Sequence, residues 1–317
     1  MNELHKQSDP VLRLDLVAHT AAVTALKFRN ENELISSGKD NDLLIWHLNT
    51  KDLRTYRFSR HTAAVNDLDC SSKGKLLVSC SDDMHIQLWV PSLTGKTEQI
   101  RAHMKPVTSI QFSYDNRRLL SGAKDKCMKL WDVKTRKFLH SLVGHNHYIN
   151  CARFFQDGSI AVSCAEDKTI RIWDVDNQDL IHTLTNQAST NKLSIYGKYV
   201  ACAQQTGSVR IYDIIAGRMN QHYVLNENVT SVDWHPSGKF LLATCSSGFI
   251  SVIDILEGRP IFRLHGLGSA LTSVAFSPSG QTFACGDANN HILIWDWDAL
   301  RNTTVSPPTT ALHSYSD

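Results

Sequence analysis

The stretch GHNHYINCARFFQDGSIAVSCAEDKTIRIWDV, residues 144–175, decides the fold. It opens on a loop histidine, His145, and passes into an apolar strand. A turn at Gly158 follows, then the small-residue strand AVSCA (161–165), a tight turn at Asp167 and a strand carrying Trp173-Asp174. Short strands of period two, punctuated by Gly and Asp, describe an antiparallel meander and no helix. An outer strand, FLHSLV (138–143), leads into the unit.

Outward from this stretch the same grammar recurs. Its anchors are IWHL (Trp46), LWV (Trp89), LWDV (Trp131), IWDV (Trp173), IYDI (Tyr212), VIDI (Ile253) and IWDW (Trp295). They lie 43, 42, 42, 39, 41 and 42 residues apart, close to the roughly 40–45 residues of a four-stranded propeller blade. Gly74, Gly158, Gly197, Gly238 and Gly280 each precede their anchor by 15 residues, a fixed turn register. The expected fold is therefore all-β: a single seven-bladed β-propeller with four antiparallel strands per blade. VLRLDL (11–16) is an outer strand with no blade of its own, and the seventh repeat lacks a fourth strand. The leading segment is expected to complete the last blade and close the ring. This gives a propeller over 11–300, a flexible N-terminus over 1–10, and a flexible Ser/Thr/Pro-containing tail over 301–317.

The formal net charge of +2 implies no global pull toward nucleic acid or membrane. Residues 1–10 lack an apolar signal core and no run approaches the roughly 18 apolar residues of a membrane span, so an intracellular protein is expected. Cys70, Cys80, Cys127, Cys151, Cys164, Cys202, Cys245 and Cys285 contain no Cys-x-x-Cys pair, and most sit in apolar strands as small hydrophobes. Neither a metal nor a cofactor is expected.

Four repeats carry one quartet: His19, Ser36, Asp40, Trp46; His61, Ser79, Asp83, Trp89; His103, Ser121, Asp125, Trp131; and His145, Ser163, Asp167, Trp173. Ser, His and Asp together suggest a hydrolase, but an enzyme needs one such site and this chain has four in register. The physical reading is structural: indole N–H, hydroxyl, imidazole and carboxylate form a closed hydrogen-bond chain that ties two loops to the sheet. Repeats five to seven depart from it. The Asp position holds Thr206, Ser247 and Asn289, the Ser position holds Cys202, Ala243 and Cys285, and Leu225 and Leu267 stand near the His position. Blades five to seven are expected to be less rigid. His145-Asn146-His147 spells a nuclease-like HNH, yet its first histidine is already a quartet member. Gly266-Leu267-Gly268 precedes a strand, not the helix a dinucleotide fold needs.

Over 11–297 the repeats resemble the WD-repeat superfamily. Four stretches carry a closer resemblance: YRFSRHTAAVNDLD (56–69), LWVPSLTGKTEQIRAH (88–103), RKFLHSLVGHNHYINCARF (136–154) and LEGRPIFRLHGLGSALTSVAFSPSGQTFACG (256–286). They are similar to the centriolar WD-repeat family called proteome of centriole protein. That resemblance implies a non-catalytic scaffold at centrioles and basal bodies, in the cytoplasm and cytoskeleton, supporting centriole assembly, stability and ciliogenesis. Family members typically add a linker and a coiled coil, and no heptad pattern is present in 301–317. The competing class is a general adaptor, such as a ubiquitin-ligase substrate receptor or a signalling platform.

Function in a propeller falls to exposed residues on the ring faces. On the His-loop face the positions before the Asp turn are Lys39, Asp82, Lys124, Glu166, Gln205, Ser246 and Ala288, joined by Lys105, His147 and Tyr148. A charged arc over blades one to four is expected, with Tyr148 as its anchor. On the opposite face Arg117, Arg118, Lys134, Arg136 and Lys137 are expected to cluster and to attract an acidic partner, for which tubulin tails suit a centriolar protein. Partners are expected to be other proteins, tubulin or centriolar wall proteins among them, with neither nucleic acid nor membrane.

Overall fold

Each repeat supplies three strands to one blade and an outer strand to the blade before it, so no repeat folds into a sheet of its own. The computed structural model describes residues 9–49, 54–91, 97–155 and 158–297. Among them the chain forms seven four-stranded antiparallel sheets, a seven-bladed β-propeller without helices. The innermost strands are Val23–Asn30, Val65–Cys70, Val107–Phe112, Ile149–Phe155, Thr190–Tyr196, Val229–Trp234 and Leu271–Phe276. Most of the terminal segments expected to be flexible, 1–10 and 301–317, lies outside the described residues.

The two middle strands of each blade are buried on both faces, because every sheet is sandwiched between its neighbours. Leu77–Ser81 and Phe240–Cys245 are buried at every position. This is why they read as continuous runs of small and branched residues, without alternation. Outermost strands are open to solvent: Arg54–Ser59 and Leu180–Thr185 are exposed at all but one position. Between blades the cores are apolar. Cys151, Cys164 and Ile172 of blade four pack with Leu193, Cys202 and Tyr212 of blade five. All eight cysteines are free thiols, six of them buried.

The ring closes as its first residues imply. Val11–Val17 pairs antiparallel with His291–Asp296, from Val11 opposite Asp296 to Val17 opposite His291. Leu16 enters the core shared by blades seven and one, and His291 Nδ1 lies 2.8 Å from the Asp15 carboxylate across the seam.

One further set of bonds and a pair of close glycine contacts hold the blades together. The second position of each inner strand is Thr or Asn, and in six blades its side chain donates to a main-chain carbonyl of the next blade. Thr24 reaches Val65 O, Asn66 reaches Val107 O, and Thr108 reaches Ile149 O, at 2.5, 2.8 and 2.6 Å. Asn150, Asn191 and Thr272 continue to Thr190, Val229 and Val23. In blade six Thr230 turns instead to Thr244 of its own sheet. Each such bond contributes about 0.5–1.5 kcal/mol. At the other end of the inner strands, Gly238 and Gly280 adopt positive φ (71° and 76°) beneath Tyr196 and His235 of the preceding blades. A Cβ there would lie 2.0 Å from the Tyr196 ring and 2.2 Å from the His235 ring. These two glycines are thus required by both backbone and contact.

Candidate functional site

The four quartets are complete. His19, His61, His103 and His145 each place Nδ1 2.8 Å from a carboxylate oxygen of Asp40, Asp83, Asp125 and Asp167. Their Nε2 atoms lie 2.7–2.8 Å from Ser36, Ser79, Ser121 and Ser163 Oγ. The indoles of Trp46, Trp89, Trp131 and Trp173 donate to those same oxygens at 2.8–3.0 Å. A carboxylate only accepts, so Nδ1 carries the imidazole proton. The serine oxygen accepts from tryptophan and has its own proton available for Nε2. Burial lowers the pKa of His19, His103 and His145, outweighing the opposing pull of their aspartates.

The aspartate does a second task. Asp83 accepts from the backbone N–H of Thr62 in the His loop and of His85 in the tight turn. Asp167 likewise accepts from Asn146 and Thr169. The residue after each quartet aspartate (Asn41, Met84, Lys126, Lys168) has φ of 63–72°, and the carboxylate stabilises that strained turn. For both Asp83 and Asp167 burial pushes the pKa up. For Asp83 the bond from the His61 ring and those two N–H groups outweigh it; for Asp167 the Thr169 hydroxyl and the His145 ring lead. Each is held at about 2. The four serines are fully buried, so no substrate carbonyl can reach their hydroxyls. The quartets are a framework and not a reaction centre.

In blades five and seven the framework is broken. Among the described residues, eight buried side-chain atoms lack a protein hydrogen-bond partner, and all belong to these two blades: Asn186 Nδ2, Thr190 Oγ1, Gln204 Nε2 and Arg210 Nε in one, Ser273 Oγ, Thr282 Oγ1, Trp295 Nε1 and Trp297 Nε1 in the other. With Cys285 at the serine position, the Trp295 indole has lost its acceptor. Asn186 accepts from the Tyr212 hydroxyl and from Arg210; it stands in for the missing histidine of blade five. The shortened His loop hid that substitution in the sequence. Blade seven moves its carboxylate: Asp287 accepts from Ser269 Oγ and from the N–H groups of Asn289 and His291.

The ring axis holds charged groups that no repeat pattern announced. The Asp67 carboxylate of blade two meets Arg153 of blade four at 3.0 Å and Lys192 of blade five at 3.3 Å, and accepts from Ile110 N. A buried bridge thus crosses the channel between non-adjacent blades. Burial alone would raise the Asp67 pKa, but the Arg153 and Lys192 charges prevail and lower it. Lys27 of blade one pairs with Asp69 of blade two at 3.4 Å, which raises the Lys27 pKa. Asp233 accepts from Ser194 Oγ and Phe276 N, and burial raises its pKa. Together these groups line an axial cavity of about 560 Å³ whose mouth holds Tyr114 and Tyr196. Three cations face three carboxylates. Among the described residues no group of three or more His, Cys, Asp or Glu is placed to hold a metal ion.

On the His-loop face, Lys39 is exposed and Lys124 half-buried. The Asp82 and Glu166 carboxylates turn inward to accept from Asn66 (2.8 Å) and Asn150 (2.7 Å), and Gln205 also donates to Glu166. Within the expected charged arc over blades one to four, Asp82 and Glu166 are half-buried, as Lys124 is, and both carboxylates serve the ring. Lys105, His147 and Tyr148 do come together. The Lys105 ammonium sits 5.7 Å over the Tyr148 ring and the His147 ring is 4.4 Å away. The neighbouring Met104 is 74% exposed.

On the opposite face the two basic turns adjoin, with Val133 N donating to Arg117 O at 2.8 Å. Three of the five basic side chains expected to cluster here have carboxylate partners. Arg118 pairs with Asp176 of the next blade's far turn at 2.7 Å, Arg117 with Asp115 at 3.8 Å, and Arg136 with Glu98. Lys134 and Lys137 remain exposed.

Comparison with known proteins agrees with this architecture. The family model described as WD domain, G-beta repeat (WD40) matches residues 10–47, 52–90, 95–132, 136–174, 217–254 and 258–296. The unmatched interval holds most of blade five, where orphaned polar atoms gather. The chain is 27% identical over 115 residues to Pre-mRNA-processing factor 19 of Dictyostelium discoideum, covering 35% of this chain and 22% of that protein. It is 29% identical over 107 residues to WD repeat-containing protein 62 of Sus scrofa (32% and 7%). It is 30% identical over 102 residues to Guanine nucleotide-binding protein subunit beta-5b of Danio rerio (31% and 26%). The chain thus spans about a quarter or less of the length of these relatives.

Proposed function

We propose, from the premise that this chain belongs to the WD40 family of WD-repeat β-propellers, that it serves as an interaction scaffold of the centriole and basal body, supporting centriole assembly, stability and ciliogenesis. Proteins of this family are generally interaction scaffolds or adaptors and bind other proteins, and the fold is typically non-catalytic. The centriolar assignment rests on the four stretches 56–69, 88–103, 136–154 and 256–286. They fall on outer strands, His loops and inner strands of several blades, so the similarity is not confined to one repeat.

The observation that carries a contact role is the Lys105–His147–Tyr148 cluster. An exposed tyrosine, held by a cation over its face and a histidine ring at its side, is pre-ordered and loses little entropy on binding. Lys124 adds a cation beside it, its backbone N–H donating to Pro106 O at 2.9 Å. The partner of this reading is a centriolar wall protein. Tubulin tails are the reading for Lys134 and Lys137 on the other face, where the attraction would be salt-dependent.

Localisation of the tagged chain in dividing and ciliated cells tests the proposal. Centriolar puncta that disperse in Tyr148→Ala with Lys105→Glu, at unchanged thermal stability, are the expected result. Diffuse cytosolic signal from the unaltered protein would sink the centriolar assignment and favour a general adaptor. Microtubule co-sedimentation unaffected by Lys134→Glu with Lys137→Glu would remove the tubulin reading alone.

A further inference from the structure

The seam between blades one and two differs from those that follow blades three, five and six. In blade three, His140 pairs in register with Leu130, the residue before the Trp anchor, and its Nε2 donates to Val175 O of blade four at 2.8 Å. Gln221 of blade five, opposite Ile211, donates to Ile255 O of blade six at 3.0 Å. Phe262 of blade six, opposite Val252, packs on Trp297 of blade seven. Each of these three outer strands thus reaches across to the residue two past the next anchor. In blade one that register position is Tyr56, opposite Ile45, and the receiving residue of blade two is Pro91. Tyr56 does not close the gap: its ring packs edge-on against His47 of its own blade at 5.4 Å and stays 37% exposed. A groove of about 440 Å³ remains between Tyr56, Phe58, Trp89, Pro91 and Thr97.

The groove has a charge and an edge. Alternation along the outer strand Arg54–Ser59 puts Arg54, Tyr56, Phe58 and then Arg60 on one side, two aromatics between two arginines. Arg54 and Arg60 are exposed. Arg29 also lines the groove, and its one lining carboxylate, Glu33, is held by Arg29 at 2.9 Å and His47 at 3.2 Å. The strand is the outermost of its sheet, so one row of main-chain donors and acceptors faces outward. Phe58 rests on Trp89 at 5.6 Å and forms an apolar floor.

We infer that this groove is a docking site for an extended, acidic segment of a partner protein, which adds along the Arg54–Ser59 edge and inserts an aromatic or branched side chain beside Tyr56 and Phe58. Main-chain pairing supplies affinity, the slot reads the inserted side chain, and Arg54 and Arg60 read the flanking acids. The site lies outside the Lys105–His147–Tyr148 cluster and does not depend on where in the cell the protein works.

The test uses fluorescence anisotropy with a fluorescein-labelled peptide in which glutamates alternate with valines around one central phenylalanine. A counterpart with lysine in place of glutamate is the control. The whole chain is expected to bind the acidic peptide saturably and the basic one not at all, more weakly as salt rises. Arg54→Glu with Arg60→Glu is expected to weaken binding by about tenfold or more, and Tyr56→Ala by a similar factor. Tyr148→Ala is expected to leave it unchanged. Thermal melts of each variant separate lost binding from lost folding. No saturable binding, equal binding of the basic peptide, or indifference to charge reversal would overturn the inference. Self-association of the chain abolished by the same reversal would overturn it in favour of a second copy as occupant.

Discussion

Replacing Asp67 by Asn removes the only anion from the bridge that crosses the ring axis while keeping its shape. Arg153 and Lys192 then face each other with no carboxylate between them. Breaking a buried pair by deleting one partner costs about 3–5 kcal/mol. Solvent in the channel reaches 18% of each cationic side chain, so the lower end, about 3 kcal/mol, is expected. Unfolding entropy of roughly 2 cal/mol/K per residue gives about 0.6 kcal/mol per degree for a ring of this size. The melting temperature should then fall by about 5 °C. Removing the cations as well, in Asp67→Asn with Arg153→Gln and Lys192→Gln, should recover most of the loss, because a neutral set has no uncompensated charge. The pH dependence has a defined sign. The folded Asp67 pKa is depressed, so its contribution is present above the unfolded value near 3.8 and is lost as pH falls through the folded one. Asp67→Asn should lack that part of the acid sensitivity. Melts followed by circular dichroism at pH 7 measure the first effect, and melts carried below about pH 3.8 toward the folded pKa measure the second. A single variant melting within a degree of the parent, or a triple variant less stable than the single one, would refute the reasoning.

The histidine tautomer gives a second pH effect. The pKa values of His19, His103 and His145 are lowered on folding, so stability should decline as pH falls from about 6.5 toward the folded values; equal melting temperatures at pH 7.5 and pH 5.5 would contradict it. Trp173→Phe strands the Ser163–His145 chain, whereas Trp295→Phe deletes a donor that has no acceptor. Chemical denaturation should show the first losing about 1–2 kcal/mol more than the second, and equal losses would count against the quartet account. Amide exchange should be faster across residues 185–290 than across 20–180, since among the described residues the orphaned buried side-chain atoms lie in blades five and seven. Uniform protection would refute it.

The fold was legible because its information is local and repeated. A Trp strand, a Gly turn and an Asp turn recur at one spacing, and the closing strand is visible as VLRLDL without a blade. The quartets were legible for the same reason, since Ser, Asp and Trp share two adjacent strands at fixed offsets. The Thr and Asn belt was legible in principle, at Thr24, Asn66, Thr108, Asn150, Asn191, Thr230 and Thr272, but its partners are main-chain atoms that carry no sequence mark. The axial bridge was not legible. Asp67 and Lys192 are 125 residues apart and occupy one strand position in two blades whose other copies are Ala, Ser or Cys. The basic turns were read correctly as neighbours. Their carboxylates, Glu98 and Asp176, come from other blades, which the reading of one repeat at a time does not see.

The closing pair has a mechanical consequence. Val11 lies opposite Asp296, so the chain enters and leaves the seam at one and the same end of two antiparallel strands. Tension between the two tails would not shear all rungs together; it would peel them singly, from Val11–Asp296 toward Val17–His291. A seam loaded in that direction yields at low force, and blade seven, with its unpaired indoles, would be the first to come away. Anything gripping both tails therefore holds the release tab of the whole ring.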